Sequence, residues 1–243
     1  MDTARFTPSR RDVDLRARLL AGDGGHGPHG EHGEHGGRGD GGRGGSDGDG
    51  RLLVGYVGRL APEKYVHHLA ALDALPWVRL VVIGDGPRRE ALRRALPRAV
   101  FLGRLDGVEL ARAYASLDVF AHPGPHETFG QTVQEALASG VPVVAPDSGG
   151  PRDLVLPGRT GYLVPAGDAA ALRSAVTELA DPAVRAAFGV AARRSVLRRT
   201  WTAVCDELLH HYAAVTRPRL VTEAEIELLR PRRGGRSPAR SGR

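Results

Sequence analysis

The segment HPGPHETFGQTVQEALASGVPVVAPDSGGPRD, residues 122–153, joins an apparent helix directly to a strand-like apolar run, Val141 to Ala145. Two carboxylates, Glu127 and Glu135, stand around the helix start, which carries Gly130. The first turn of a helix has free backbone N–H groups and the positive end of the dipole, so it suits an anion. Phe129, Gly130 and Gln131 would present those N–H groups. Acceptor carboxylates on either side suit hydroxyl-rich groups attached to the anion. If most of the span from Glu127 to Glu135 is helical, they stand about 12 Å apart along the axis. A diphosphate with one ring at each end has that scale. Glu127 would then address hexose hydroxyls, and Glu135 a ribose diol. The plainer readings are a dipole-favoured acid for Glu127 and a solvent-facing helix residue for Glu135.

Outward from this segment the pattern repeats. LLVGYVG, WVRLVVIGDG, AVFLG, DVFAHP, VPVVAP and GRTGYLVP read as strands. APEKYVHHLAALDAL, PRREALRRAL, DGVELARAYASL and the stretch through Glu135 read as helices, as do stretches from Asp168, Asp181 and Thr200. Asp168 and Asp181 suit N-caps, and Pro182 suits a first turn. Alternation of this kind predicts an α/β fold, a single Rossmann-like parallel sheet covered on both faces. Ligands of such sheets sit at the carboxyl ends of strands, near a topological switch point.

The packed unit is expected over residues 51–216, with order beginning near Leu52. Residues 1–20 are polar and hold one short helical piece, DVDLRARLL. Residues 21–50 are almost entirely Gly, His, Asp, Glu and Arg, a composition that predicts a disordered linker. His26, His29, His32 and His35 recur there every three residues, without the rigid geometry a metal site needs. Residues 217–243 form an Arg-rich tail of eight Arg and three Glu, which holds +5 of the net +6. The high pI therefore describes a solvated end, and no nucleic-acid partner is expected.

One cysteine, Cys205, excludes an internal disulfide framework. No run of about 18 apolar residues and no signal-like start are present, so the cytoplasm is the expected location, with the inner membrane face as a peripheral site. Lys64 is the only lysine beside 33 arginines. A compact ammonium in that background suggests a geometric demand that a wide guanidinium does not meet.

Lys64 ends the motif GRLAPEK, directly after a strand. Gly58 would let the backbone approach a ligand. Arg59 can fork onto phosphate oxygens and Lys64 can add a point charge. Together they could neutralise a diphosphate and stabilise it as it departs. A surface pair between Arg59 and Glu63 is the alternative. The motif is neither a Walker loop nor a G-x-G-x-x-G fingerprint. His122 and His126 flank a Pro-Gly-Pro turn; either could be a polar contact to substrate, but a histidine in such a turn reads first as structural, and the prolines break the spacing a zinc pair would need. Asp85 suits a turn or a cap. Ser148, Gly149 and Gly150 read as a tight loop beside the same cleft.

The motifs VGYVGRLAPEK, VVIGDGP, FLGRL, HETFGQTVQEALASGVPVVAP and SGGPRDLV…GRTGYLV resemble the donor-binding half of glycosyltransferase family 4, which has the GT-B fold. The resemblance covers roughly Leu52 to Thr216. It implies a retaining hexosyltransferase that needs no metal or other cofactor. It also implies Arg59 and Lys64 on the diphosphate, Glu127 on the donor sugar and Glu135 on the ribose. The stretch HETFGQTVQEALASG is similar to that of bacterial mannosyltransferases using GDP-mannose. GT-B enzymes carry a first domain for the acceptor, a lipid or glycan. That domain is not seen here, so an acceptor domain in cis or in trans is expected, with residues 1–20 as the remnant of the interdomain joint. Reading MDTARFTP as the family's GVD…F.P joint suggests a truncated or split gene. The other readings are a non-catalytic nucleotide-sugar-binding module and a sugar-nucleotide epimerase, for which the cleft lacks a convincing set of acid and base groups.

Overall fold

A computed structural model describes residues 1–23 and 50–216. The expectations for the His-rich segment and the Arg-rich tail therefore lie outside the described residues, apart from the edges of the former. Met1–Trp201 form one packed unit; Thr202 begins a second, whose described part is helical.

Six strands form one parallel sheet: β1 (Leu52–Val57), β2 (Val78–Ile83), β3 (Val100–Gly103), β4 (Val119–Ala121), β5 (Val143–Pro146) and β6 (Gly161–Val164). Their order is β3-β2-β1-β4-β5-β6. All six residues of β1 are buried. Its side chains alternate: Leu52, Val54 and Tyr56 enter one core cluster, Leu53 and Val57 the other. Both faces are thus covered, as a continuous apolar strand requires.

The helices are α1 (Val13–Ala21), α2 (Ala70–Asp73), α3 (Arg89–Ala95), α4 (Gly107–Ser116), α5 (Gln131–Ala138), α6 (Gly149–Leu154), α7 (Ala169–Glu178), α8 (Pro182–Val196) and α9 (Trp201–Thr216). Leu19, Tyr114, Val133, Leu154 and Ala192 cover one face from α1, α4, α5, α6 and α8. Leu72, Leu92 and Leu172 cover the other from α2, α3 and α7. Asp168 caps α7 through the Ala171 N–H at 2.9 Å, and Asp181 caps α8 through that of Ala183 at 2.7 Å. Such caps stabilise by about 1 kcal/mol each. The order steps outward from β1 in both directions, so the switch point lies between β1 and β4.

Three expectations need correction. Order does not begin near Leu52: Met1, Phe6, Leu19 and Leu20 are buried in the core, and Phe6 meets Tyr114 edge-on at 5.7 Å. Four apolar side chains scattered through a polar stretch are enough to anchor it. The stretch APEKYVHHLAALDAL is not one helix but two 3-10 turns, Pro62–Lys64 and Val66–Leu69, followed by α2. Tyr65 separates them at φ 50°, a left-handed conformation that costs a side-chain-bearing residue about 1–2 kcal/mol. Gly149 and Gly150 are not a loop but the first turn of α6.

Candidate functional site

The carboxyl ends of β1 and β4 diverge at the switch point, and two loops leave there side by side. From β1 comes Gly58, whose N–H bonds Ile83 O at 3.0 Å, then Arg59 and the 3-10 turn that ends at Lys64. From β4 come His122 and the turn to Glu127.

Lys64 Nζ lies 2.9 Å from Glu127 Oε2. The other carboxylate oxygen, Oε1, accepts the Gly130 N–H at 3.2 Å. Gly130 is the N-cap of α5 and holds φ 69°, which glycine alone adopts freely. Burial raises the Glu127 pKa, but the Lys64 hydrogen bond and charge outweigh it, with Gly130 assisting. The carboxyl therefore stays below its usual range and is ionised at neutral pH.

The turn is braced from α6. Gly150 N–H bonds Glu127 O at 2.6 Å, and Ser148 Oγ bonds Pro125 O at 3.1 Å. A Cβ on Gly149 would stand 2.3 Å from Glu127 O, so only glycine permits this approach.

Arg59 is exposed, and its guanidinium makes no ion pair among the described residues; the surface pair with Glu63 does not form there. Its carbonyl accepts the Tyr56 hydroxyl at 3.1 Å. Phe129 is 40% exposed and stacks on Trp201, with ring centres 5.7 Å apart and planes within 9°.

Glu135 lies one turn into α5 and is 6% exposed, so it is not a solvent-facing residue. Gln131 Nε2 donates to its Oε1 at 3.0 Å. Burial raises its pKa; Gln131, the nearby Tyr114 hydroxyl, the N-terminus and Arg5 oppose that shift. The Tyr114 hydroxyl faces Glu135 without closing a hydrogen bond of good geometry.

Two details differ from the sequence reading. Only Gln131 onward is helical, so a full-helix rise does not apply between Glu127 and Glu135. The Gly130 N–H is already engaged by Glu127 in this state rather than free. The structure thus joins Lys64, Glu127 and Gly130 directly, and Gln131 with Glu135. It leaves Arg59 exposed.

His122, read from the sequence first as structural, packs inside the core. It is 2% exposed, and its ring stacks between Tyr56 at 6.5 Å and Phe120 at 6.4 Å. Neither ring nitrogen completes a hydrogen bond among the described residues. Burial lowers its pKa to about 4, against the pull of Glu127 and with the push of Lys64, so the ring is neutral at pH 7. Its place directly after an apolar strand was the sign of its burial.

Chemistry rather than volume selects this site. A larger cleft, about 460 Å³, opens at the other end of the strands beside Asp118 and Pro142. Its side chains are engaged in holding the fold. Asp118 accepts the Leu53 N–H and pairs with Arg16, both at 2.8 Å, while Arg185 and Arg193 bond backbone carbonyls. Among the described residues no group of three His, Cys, Asp or Glu side chains is placed to hold a metal ion, and no helix is long and apolar enough to cross a membrane.

Residues 51–181 match the family described as glycosyl transferases group 1. The chain is 62% identical over 168 residues to a GDP-mannose-dependent alpha-mannosyltransferase of Mycolicibacterium smegmatis, covering 69% of this chain and 44% of that protein. It is 58% identical over 225 residues to the protein of the same name from Mycobacterium tuberculosis, covering 92% of this chain and 52% of the other. Sucrose-phosphate synthase from Thermosynechococcus elongatus superposes with a TM-score of 0.67 at 28% identity, covering 88% of this chain and 51% of that one. The chain spans about half the length of the curated relatives it matches. Matched over more than half its residues and sharing the fold, the chain belongs to the glycosyl transferases group 1 family.

Proposed function

We propose that this chain is the donor-binding half of a retaining mannosyltransferase that takes its hexose from GDP-mannose. The observation that carries the reading is the Lys64–Glu127 ion pair at the switch point, 2.9 Å across. An ammonium and a carboxylate held there by two loops are the groups a sugar diphosphate needs. The names of the two mycobacterial relatives support the choice of donor.

In this reading the incoming diphosphate draws Lys64 away from Glu127. Arg59, exposed and without an ion-pair partner among the described residues, folds onto the same phosphate oxygens. The two cations stabilise the charge that develops on GDP as the bond to the anomeric carbon breaks. Glu127, released from Lys64, accepts hydrogen bonds from the hexose, and Glu135 accepts them from the ribose. Gly58, Phe129, Gly130 and Gln131 line the donor path. The acceptor, a lipid or glycan, is held on a second domain in cis or in trans, and closure of the two completes the site. Residues 1–20 are the joint to that domain, and the work is done on the cytoplasmic side.

Calorimetry of the chain with GDP-mannose, GDP and UDP-hexoses tests the reading. GDP-mannose is expected to bind, and more tightly than any UDP-hexose. Equal affinity for the two bases, or no binding to either, overturns it.

A further inference from the structure

Tyr65 is the one non-glycine residue with a positive φ among the described residues, at φ 50° and ψ 28°. A side chain there is strained because its Cβ crowds the following carbonyl. Such strain persists only where the surroundings over-determine it, and it gathers at ligand sites. Glycine would adopt this backbone freely. Tyr65 also belongs to neither core cluster, so the packing of the interior gives no reason for a ring here.

Its neighbours suggest another reason. Tyr65 directly follows Lys64, and His126 directly precedes Glu127. The two loops touch: a Cβ on Gly124 would lie 3.0 Å from the Lys64 carbonyl oxygen. The Tyr65 and His126 rings consequently stand 6.0 Å apart, tilted by 58°. From the same loop His68 meets Tyr65 edge-on at 5.4 Å, and His67 stacks on it at 5.9 Å with the planes 26° apart. Tyr65 is half-buried and His126 exposed, and each is the direct chain neighbour of one member of the ion pair.

We propose that Tyr65 and His126 form a wall of the subsite for the transferred hexosyl ring and help set which hexose is accepted. The inference rests on the donor reading given above. A pyranose offers an apolar C–H face to an aromatic ring and hydroxyls to phenol and imidazole atoms. Pockets for such ligands combine apolar walls with a few fixed polar groups, and here Lys64 and Glu127 supply the latter. The ring stands beside His126 on this left-handed backbone.

The test is calorimetry on the full chain and on Tyr65→Gly, Tyr65→Phe and His126→Ala, with GDP, GDP-mannose and GDP-glucose. In the unaltered chain GDP-mannose binds more tightly than GDP. Tyr65→Gly and His126→Ala each reduce that margin about fivefold, while GDP affinity stays within about twofold. Tyr65→Phe keeps a larger part of the margin than Tyr65→Gly. GDP-mannose and GDP-glucose become harder to tell apart in Tyr65→Gly. The thermal midpoint of Tyr65→Gly is at or above that of the unaltered chain, so lost folding does not explain the change. A margin that survives both substitutions overturns the proposal, as does an equal loss for GDP itself. An unaltered chain that binds GDP and GDP-mannose alike overturns it while leaving the nucleotide reading standing. A chain that binds no nucleotide overturns both.

Discussion

Arg193, on α8, donates to the carbonyl of Phe6 at 2.6 Å across 187 positions of sequence. The same guanidinium bonds Ala138 O at 2.7 Å and Thr3 O at 2.9 Å. It thereby ties the start of the chain, the end of α5 and α8 into one corner. Arg193→Met keeps the stem and removes all three bonds. A loss of about 2–3 kcal/mol is expected in urea unfolding, with GDP-mannose affinity unchanged in the fraction that remains folded. A loss below about 0.5 kcal/mol would mean that the corner is held by Met1 and Phe6 packing alone.

His122 gives a pH signature. Its folded pKa of about 4 lies below the ordinary value of 6.5, so the unfolded chain binds more protons between those limits. Stability attributable to this ring is complete above pH 6.5 and falls as pH drops towards 4. The full drop, reached below pH 4, is on the order of 3 kcal/mol. His122→Phe keeps the stacking on Tyr56 and Phe120 and removes two unpartnered nitrogens. Urea unfolding at pH 7.5, 5.5 and 4.5 should show a flatter pH dependence for that variant. Parallel curves for the two proteins would refute the assignment.

Glu135 has the opposite sign. Burial raises its pKa, so the folded state holds its proton more readily than the unfolded chain does. Its ionised form therefore costs stability above the raised pKa, and the cost fades as pH falls to ordinary carboxylate values. Glu135→Gln should be more stable than the unaltered chain at pH 7.5, with the advantage shrinking at pH 4.5. It should also bind GDP about tenfold more weakly, because a charged acceptor for the ribose is gone. Gain in stability with loss of binding marks a functional residue; unchanged GDP affinity would remove Glu135 from the site.

Lys64→Met and Glu127→Gln separate the two ends of the donor. The first should weaken GDP and GDP-mannose alike, by about tenfold. The second should weaken GDP-mannose and leave GDP nearly unaffected. The pair itself is partly exposed and contributes no more than about 1 kcal/mol to folding. Because the Glu127 pKa is depressed, that contribution is present at neutral pH and is lost as pH falls through its lowered folded value. Calorimetry reads the first two effects and acid unfolding the third; identical nucleotide profiles for both variants would contradict the division.

The sheet was legible because β-branched runs between turn residues leave little choice of state, as in LLVGYV and VRLVVI. The caps at Asp168 and Asp181 were legible because their chemistry is local. Lys64, Glu127 and Glu135 were legible as candidates for the same reason of residue type and spacing. Tyr65 was not, since nothing in APEKYVHHL announces a left-handed tyrosine. Backbone bonds to Pro62 and His68 and ring contacts with His67, His68 and His126 hold it there. Nor was the burial of Met1 and Phe6, which depends on partners more than a hundred positions away. Helix α6 hid behind SGG, although Pro151 in its first turn was a usable sign. The neutral state of His122 follows from its enclosure, a property of the assembled core.

The Lys64–Glu127 contact has a practical corollary in a protein with a single lysine. Apart from the α-amino group of Met1, a reagent that acylates amines has one position to attack, and that position is the candidate centre. Mass spectrometry of one tryptic peptide would report occupancy directly. A bound pyrophosphoryl group shields the amine, and the labelling rate becomes a titration curve.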